Sequence, residues 1–215
     1  GSRKGLASPH PGKRDCLGPY TPGKRRTDEN RTRRAVGGLL LIVGLGLAAP
    51  AAAAGCPPDS VLSGTVCIDK YEASVWLVPP AQTILIRKIQ AGTATLAQLE
   101  LGGFQRGLAA GDLTPVCPET GAGCTDVYAV SIAGVPPAAL INWFQAAAAA
   151  RNSRKRLPTN QEWQVAALGT PSASCNVSSG SVANTGSTAG CVSDVGAFDM
   201  VGNLWEWVAD WVPRS

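Results

Sequence analysis

A mixed architecture of short strands and two helices, set in much irregular loop, is what this sequence predicts. Three observations carry it. Runs rich in β-branched and aromatic residues are brief, at 64–68 and 73–78. Helical patterns come later, at 138–152 and from Thr159 to about Leu168. Six of the seven cysteines, all after residue 54, fall in three local pairs.

Each element has a local reason. Cys56-Pro57-Pro58 opens the strand region, and Asp69-Lys70-Tyr71-Glu72 joins the two strands. Residues 93–101 read as a short helix with Leu96, Leu99 and Leu101 inward. Pro115 to Thr125 is a small loop between Cys117 and Cys124. Pro136-Pro137 leads into an alanine-rich helix with Leu140, Ile141, Phe144 and Ala148 on one face. Thr159-Asn160-Gln161-Glu162 is a capping box, with Thr159 as N-cap and Glu162 reaching back, and Gly169 is a natural stop. Residues 170–194 are Ser/Thr/Gly/Asn-rich, so a disulfide or a metal is needed to fix them.

Charge divides the chain of 215 residues. Residues 1–54 hold ten Lys/Arg against three Asp/Glu, a balance of +7; the rest hold nine against twelve, a balance of −3. All six Trp and all three Phe follow residue 54. A basic leader (1–34) is expected to be disordered, with non-native sequence as the alternative. Residues 35–54 are uncharged, follow Arg31, Arg33 and Arg34, and end in small residues, so they read as a signal peptide with Ala52-Ala53-Ala54 at the cleavage site. The rival reading is a membrane anchor, because about 20 apolar residues span a bilayer. A lipoprotein site at Cys56 is weaker, since Ala53 stands where leucine is usual. The mildly acidic body disfavours nucleic acid as a partner.

Export agrees with the cysteines. Cys56 with Cys67, Cys117 with Cys124 and Cys175 with Cys191 is the cheapest of fifteen connectivities in loop closure, and an oxidising compartment permits it. Reduced buried thiols are the alternative. Structural zinc is disfavoured because no C-x-x-C pair exists. His10, in the leader, is the only histidine, so a Ser-His-Asp triad, a Cys-His pair or a histidine metal site cannot be assembled in the body.

Chemistry concentrates at 199–211, where Trp205, Trp207 and Trp211 stand among Asp199, Glu206 and Asp210 around the Gly202-Asn203 turn pair. At least four of the six tryptophans are expected in the core. Acids wrapped by buried aromatics need a balancing charge, either calcium or a buried arginine such as Arg156.

Three blocks now stand in order: Cys67-Ile68-Asp69-Lys70-Tyr71-Glu72; Asn142-Trp143-Phe144-Gln145, with Lys155-Arg156-Leu157-Pro158-Thr159 and Glu162-Trp163; and Gly196-Ala197-Phe198-Asp199-Met200-Val201-Gly202-Asn203-Leu204-Trp205-Glu206-Trp207. Over roughly 56–212 the chain resembles the formylglycine-generating enzyme, or sulfatase-modifying factor, family. The resemblance implies an α+β, C-type-lectin-like fold for a domain spanning 55–215. It also implies a structural calcium site using the side chains of Asp199 and Glu206 and the carbonyls of Gly202 and Leu204. Asn184 is a further ligand candidate in a second calcium site.

Family enzymes oxidise a substrate cysteine to formylglycine with oxygen, using a close cysteine pair that binds copper in the bacterial type. That pair follows the Trp-Glu-Trp block, and here only 208–215 follow it. The expectation is a domain incomplete at the C-terminus, without catalytic residues or copper ligands. If enzymatic, its partner is a sulfatase-like protein or peptide. The alternatives are a non-catalytic lectin-like binding module and a periplasmic maturation factor. After signal cleavage no stable membrane insertion is expected, and the location is periplasmic or extracellular.

Overall fold

The computed structural model describes residues 55–211. The leader, the apolar segment 35–54, His10 and Cys16 lie outside the described residues, so the signal and anchor readings are not addressed by it.

Strands β1 (Ser60–Ser63) and β2 (Val66–Asp69) form an antiparallel hairpin closed by the Ser63–Val66 pair. The strand expected from residue 64 therefore starts at Val66, and Gly64 belongs to the turn. Its φ of 60° is left-handed, and a two-residue hairpin loop favours glycine there. A second sheet has β3 (Ala73–Leu77) at its centre, between β4 (Phe104–Arg106) and β5 (Val127–Ser131), all antiparallel. A period of two divides its side chains between faces. Val75, Val127 and Ala129 pack with Ala148 and Ala149 on one side. Trp76, Tyr128 and Val130 pack with Leu85, Ile89 and Leu99 on the other.

Four helices stand among the described residues, two more than the pair best supported by pattern. α1 (Thr83–Gln90) and α2 (Leu96–Gly102) contribute to the second of those faces. Thr95 and Gln98 form a capping box that starts α2 three residues later than expected. Leu99 is 0% exposed, but Leu101 is 90% exposed and not inward. At about 100° per residue, Leu101 points roughly 200° away from Leu99.

α3 (Trp143–Asn152) begins five residues after the expected start. Residues 138–140 are spent elsewhere, since the Ala138 N–H bonds the Ala73 carbonyl and the Leu140 N–H bonds the Gly107 carbonyl. Asn142 and Gln145 then form the cap. Leu140 and Phe144 are consequently exposed, and the buried face is Gln145 with Ala147, Ala148, Ala149 and Ala150. α4 (Asn160–Ala166) has the capping box that the sequence predicts, with Thr159 and Glu162 in their expected roles.

All three local disulfides form: Cys56–Cys67, Cys117–Cys124 and Cys175–Cys191. The second is built into the core beside α3, where the Gln145 Nε2 donates to the Cys117 carbonyl at 2.7 Å and the Asn152 Nδ2 donates to the Cys124 carbonyl at 2.7 Å.

Burial separates two leucines of one helix. Leu99→Ala is expected to cost about 2–5 kcal/mol, whereas Leu101→Ala should stay within about 0.5 kcal/mol. Urea unfolding of both variants checks the assignment; equal effects would contradict it.

Candidate functional site

The last described segment, 196–211, has almost no ladder of its own. Its one strand-like contact is the isolated bridge between Val192 and Phe198. It is held by hydrogen bonds to earlier parts of the chain. The Trp207 Nε1 donates to the Ile141 carbonyl at 2.9 Å, and the Trp143 Nε1 donates to the Val208 carbonyl at 2.8 Å. The Ala209 N–H donates to the Pro158 carbonyl at 2.7 Å.

Between this segment, the β1–β2 hairpin and the chain entering α4 lies a cavity of about 720 Å³. Glu72, Glu162, Trp163, Trp205, Glu206 and Trp207 are among its lining residues.

Four acids, Asp69, Glu72, Glu162 and Glu206, are among its lining residues, and Asp199 is close to Glu206 in the chain. Glu72 is 7% exposed. Its Oε2 accepts from the Asn203 Nδ2, while its Oε1 has no hydrogen-bond partner. Burial pushes the Glu72 carboxyl up to about 8; the Asn203 bond opposes this, and the nearby Glu206 and Asp199 charges add to it. Glu206 accepts from the Trp163 Nε1 at Oε2. Burial raises it to about 7, against that hydrogen bond and with the charges of Asp199 and Asp69. Asp199 is 3% exposed and accepts from the Gly186 N–H at 2.7 Å. Burial holds it above the ordinary carboxylate range, and that bond opposes the shift. Burial thus shifts all three carboxyls toward their neutral forms, with no ion-paired cation to oppose it.

Two of the three cations that line the cavity, Lys155 and Arg156, are engaged elsewhere. Lys155 donates to Asp59 at 2.5 Å and to Asp69 at 2.6 Å, tying the chain between α3 and α4 to the hairpin. Burial pulls its ammonium down, but the two carboxylates more than offset that, so it lies above the usual lysine value. Arg156 grips Glu162 through two bonds of 2.7 Å. The alternative that Arg156 balances Glu206 is therefore wrong, because the capping acid already holds the guanidinium.

The tryptophans also depart from expectation. Only Trp76 is fully buried, Trp143 and Trp163 are half-buried, and Trp205, Trp207 and Trp211 are exposed. Among the described residues no sheet or helix covers segment 201–211, and its three indoles stay exposed. Their rings line the cavity rim or gather beside Phe144, where Trp143 and Trp211 lie 5.2 Å apart.

For calcium, the sequence named the Asp199 and Glu206 side chains and the Gly202 and Leu204 carbonyls. The donor chemistry fits, since these are hard oxygens of mixed type. No group of three or more His, Cys, Asp or Glu side chains among the described residues is placed to hold an ion, so the backbone carbonyls would have to complete the shell. Asn184 is exposed, and its Nδ2 donates to the Gly134 carbonyl at 3.1 Å. Copper thiolate ligation does not fit, because every cysteine among the described residues is in a disulfide.

Sequence reasoning missed Glu72, Lys155 and Asn203 as a working group. Their partners lie 86 to 131 residues away, and no local period announces such contacts.

Glu162 supplies a pH signature. Hydrogen bonding from Arg156, then from the Thr159 N–H, lowers its carboxyl from the ordinary 4.5 to about 2. A folded pKa below the unfolded one gives stability that is complete above about pH 4.5 and lost as pH falls toward 2. Urea midpoints of Glu162→Gln and the parent chain are expected to converge across that window and to differ above it; a constant gap would refute the assignment.

Known proteins can now be set beside this geometry. No curated protein sequence and no solved structure matches the chain. The family model of the sulfatase-modifying factor enzyme 1-like domain matches residues 61–189. That range covers β1 through α4 and two of the three sequence blocks, and the Trp-rich block at 196–207 lies beyond it. With well over half of its length inside that match, the chain belongs to the sulfatase-modifying factor, or formylglycine-generating enzyme, family.

Proposed function

We propose that residues 55–211 act as an exported sulfatase-modifying-factor domain that receives a protein or peptide segment, and that this 215-residue polypeptide does not itself oxidise cysteine. One observation carries the second half. Oxidation in this family needs a close cysteine pair, and all six cysteines of the described residues are already joined in local disulfides. Cys16 is the only other cysteine, and one thiol is not a pair. Three disulfides suit an oxidising compartment, in line with a periplasmic or extracellular location. Among the described residues no helix is long and apolar enough to cross a membrane. The acidic balance of the body supports protein over nucleic acid as partner.

The same reading includes a structural calcium ion held by Asp199, Glu206 and the carbonyls of Gly202 and Leu204. Its support is the gathering of the carboxyls of Glu72, Asp199 and Glu206 around that turn, the first two buried, with no ion-paired cation among them. A calcium ion there would stabilise the ionised forms of the acids and order the last segment. The lectin-like binding alternative draws its support from the aromatic group of half-buried Trp143 with exposed Phe144 and Trp211.

Two measurements test these proposals. Calcium added to the EDTA-treated chain is expected to raise its melting temperature by several degrees, and Asp199→Ala should abolish the rise; an unchanged parent would remove the ion. Incubating the purified chain with a C-x-P-x-R peptide, oxygen and copper is expected to yield no aldehyde by mass spectrometry. Aldehyde formation would overturn the non-catalytic assignment.

A further inference from the structure

Far from the acidic cavity, α1 and α2 present a second surface. They lie on one face of the three-stranded sheet, while Val75 and Ala129 of the other face line the cavity. Leu85, Ile89 and Leu99 point toward the sheet and are buried. At about 100° per residue, Ile84 and Arg87 fall on the outward side of α1, and Ala97 and Leu101 on that of α2. All four are exposed, Ile84 at 65% and Leu101 at 90%. The helices touch, since a Cβ at Gly102 would lie 2.7 Å from the Leu85 Cδ2. Their outward sides therefore form one surface, with two large aliphatic side chains in water.

Charge on this surface departs from that of the body. Residues 55–215 are acidic in balance, yet α1 carries Arg87 and Lys88 in its last turn and no acid. Among the described residues neither cation is in an ion pair. Glu100 is the single acid of α2 and sits on its flank, about 100° from Leu99 and from Leu101. The chain enters beside the basic end of α1. A Cβ at Gly92, two residues past that helix, would lie 2.9 Å from the Pro57 Cβ. Just before Gly55 stand the uncharged residues 35–54, and about 20 apolar residues span a bilayer.

We infer that the α1–α2 surface rests on an anionic lipid bilayer, with Ile84 and Leu101 among the headgroups and Arg87 and Lys88 against lipid phosphates. Exposed aliphatic side chains flanked by cations are the pattern of interfacial helices. Charge complementarity and the chain entry select lipid over a second copy. A two-fold contact sets a surface against itself, so it would bring like cations together. At eight and seven residues, neither helix is long enough to span, so the contact is peripheral. The cavity stays uncovered in this arrangement.

The test uses the oxidised 215-residue chain with the photoreactive residue p-benzoylphenylalanine in place of Leu101, or of Phe144 on α3 as the comparison. Each chain is irradiated on phosphatidylcholine vesicles with and without phosphatidylglycerol, and lipid adducts are located by mass spectrometry. Adducts are expected from position 101 in large excess over position 144, on the anionic vesicles and not on the neutral ones. High salt should reduce them, because it screens the cations. Arg87→Gln, at an exposed position, should cut the yield about fivefold, the worth of one cation at an anionic surface. Ile84→Ser should lower it as well.

Because the probe reads one face, tethering through residues 1–54 alone would label both positions equally. Equal labelling would overturn the inference, as would equal yields on neutral and anionic vesicles. A crosslink from position 101 to a second copy without vesicles would also overturn it, by assigning the surface to self-association. Near-ultraviolet circular dichroism shows whether each variant folds, and the salt and lipid comparisons need no further substitution. Neither oxidation nor calcium is read in any arm, so failure here is separate from failure of the proposed function.

Discussion

The Asn203 carboxamide is the interaction on which the acidic half of the molecule depends. Its Nδ2 donates to Glu72 and to the Ala183 carbonyl, and its Oδ1 accepts from the Asn176 Nδ2 and the Ala183 N–H. One side chain thus joins the start of β3, the loop of the third disulfide and the last segment. All of its hydrogen-bonding capacity is spent. Its backbone is left-handed, φ 57°, a conformation asparagine accepts more readily than bulkier residues. Next to it, Gly202 has φ 80° and lies so close to the Asn176 carbonyl that a Cβ would come within 2.6 Å. The Gly-Asn pair is therefore required by both conformation and space. Aspartate at 203 would lose the donor and set a second acid against Glu72.

Around that joint the fold divides its work. The three-stranded sheet is covered on both faces, by α3 and the Cys117–Cys124 loop on one side and by α1 and α2 on the other. Most buried apolar surface is there, and with it most of the hydrophobic stabilisation. The hairpin side is different. Its cluster has only Ala166, Ala197 and Met200 fully buried, with Trp163 and Ile68 among the residues packed against it. Polar links fill the difference, such as the Lys155 bridge to Asp59 and Asp69. Ser131 adds another, accepting from the Tyr71 N–H at 3.0 Å and donating to the Asp59 carbonyl at 2.8 Å. An ion-paired, hydrogen-bonded scaffold of this kind fixes geometry more than it adds stability.

Legibility in the sequence followed the range of the interactions. The Thr159–Glu162 capping box spans four residues and stands where it was expected. The three disulfides close loops of 11, 7 and 16 residues and were also legible as local pairs. β4 and β5 were not read, because β4 has three residues and β5 is buried throughout, so neither shows an alternating pattern. The alanine helix was placed too early because proline and alanine mark a helix start but do not reveal that Ala138 and Leu140 bond to Ala73 and Gly107. In the site, Asp199 and Glu206 were found from their motif. Glu72, in the first block, gave no sign of its contact with Asn203, 131 residues on. Trp205 and Trp207 were misjudged because composition shows how much apolar surface a segment carries, not whether another element covers it.

The exposure of those indoles and the unpaired oxygen of Glu72 have one cause. Segment 201–211 is anchored by hydrogen bonds at Ile141, Pro158 and Asn176 rather than by a packed partner element. Such anchoring sets the position of the backbone while leaving one side of it open. On that open side the indole rings remain uncovered, and just inside it an acid has one oxygen held and the other unanswered. Burying a polar group without a partner costs about 1–3 kcal/mol, and the fold bears this cost beside an unpaired strand edge. Lys155 and Arg156 would have to abandon buried or bidentate partners to reach Glu72, whereas Arg154, which lines the same cavity, forms no ion pair among the described residues.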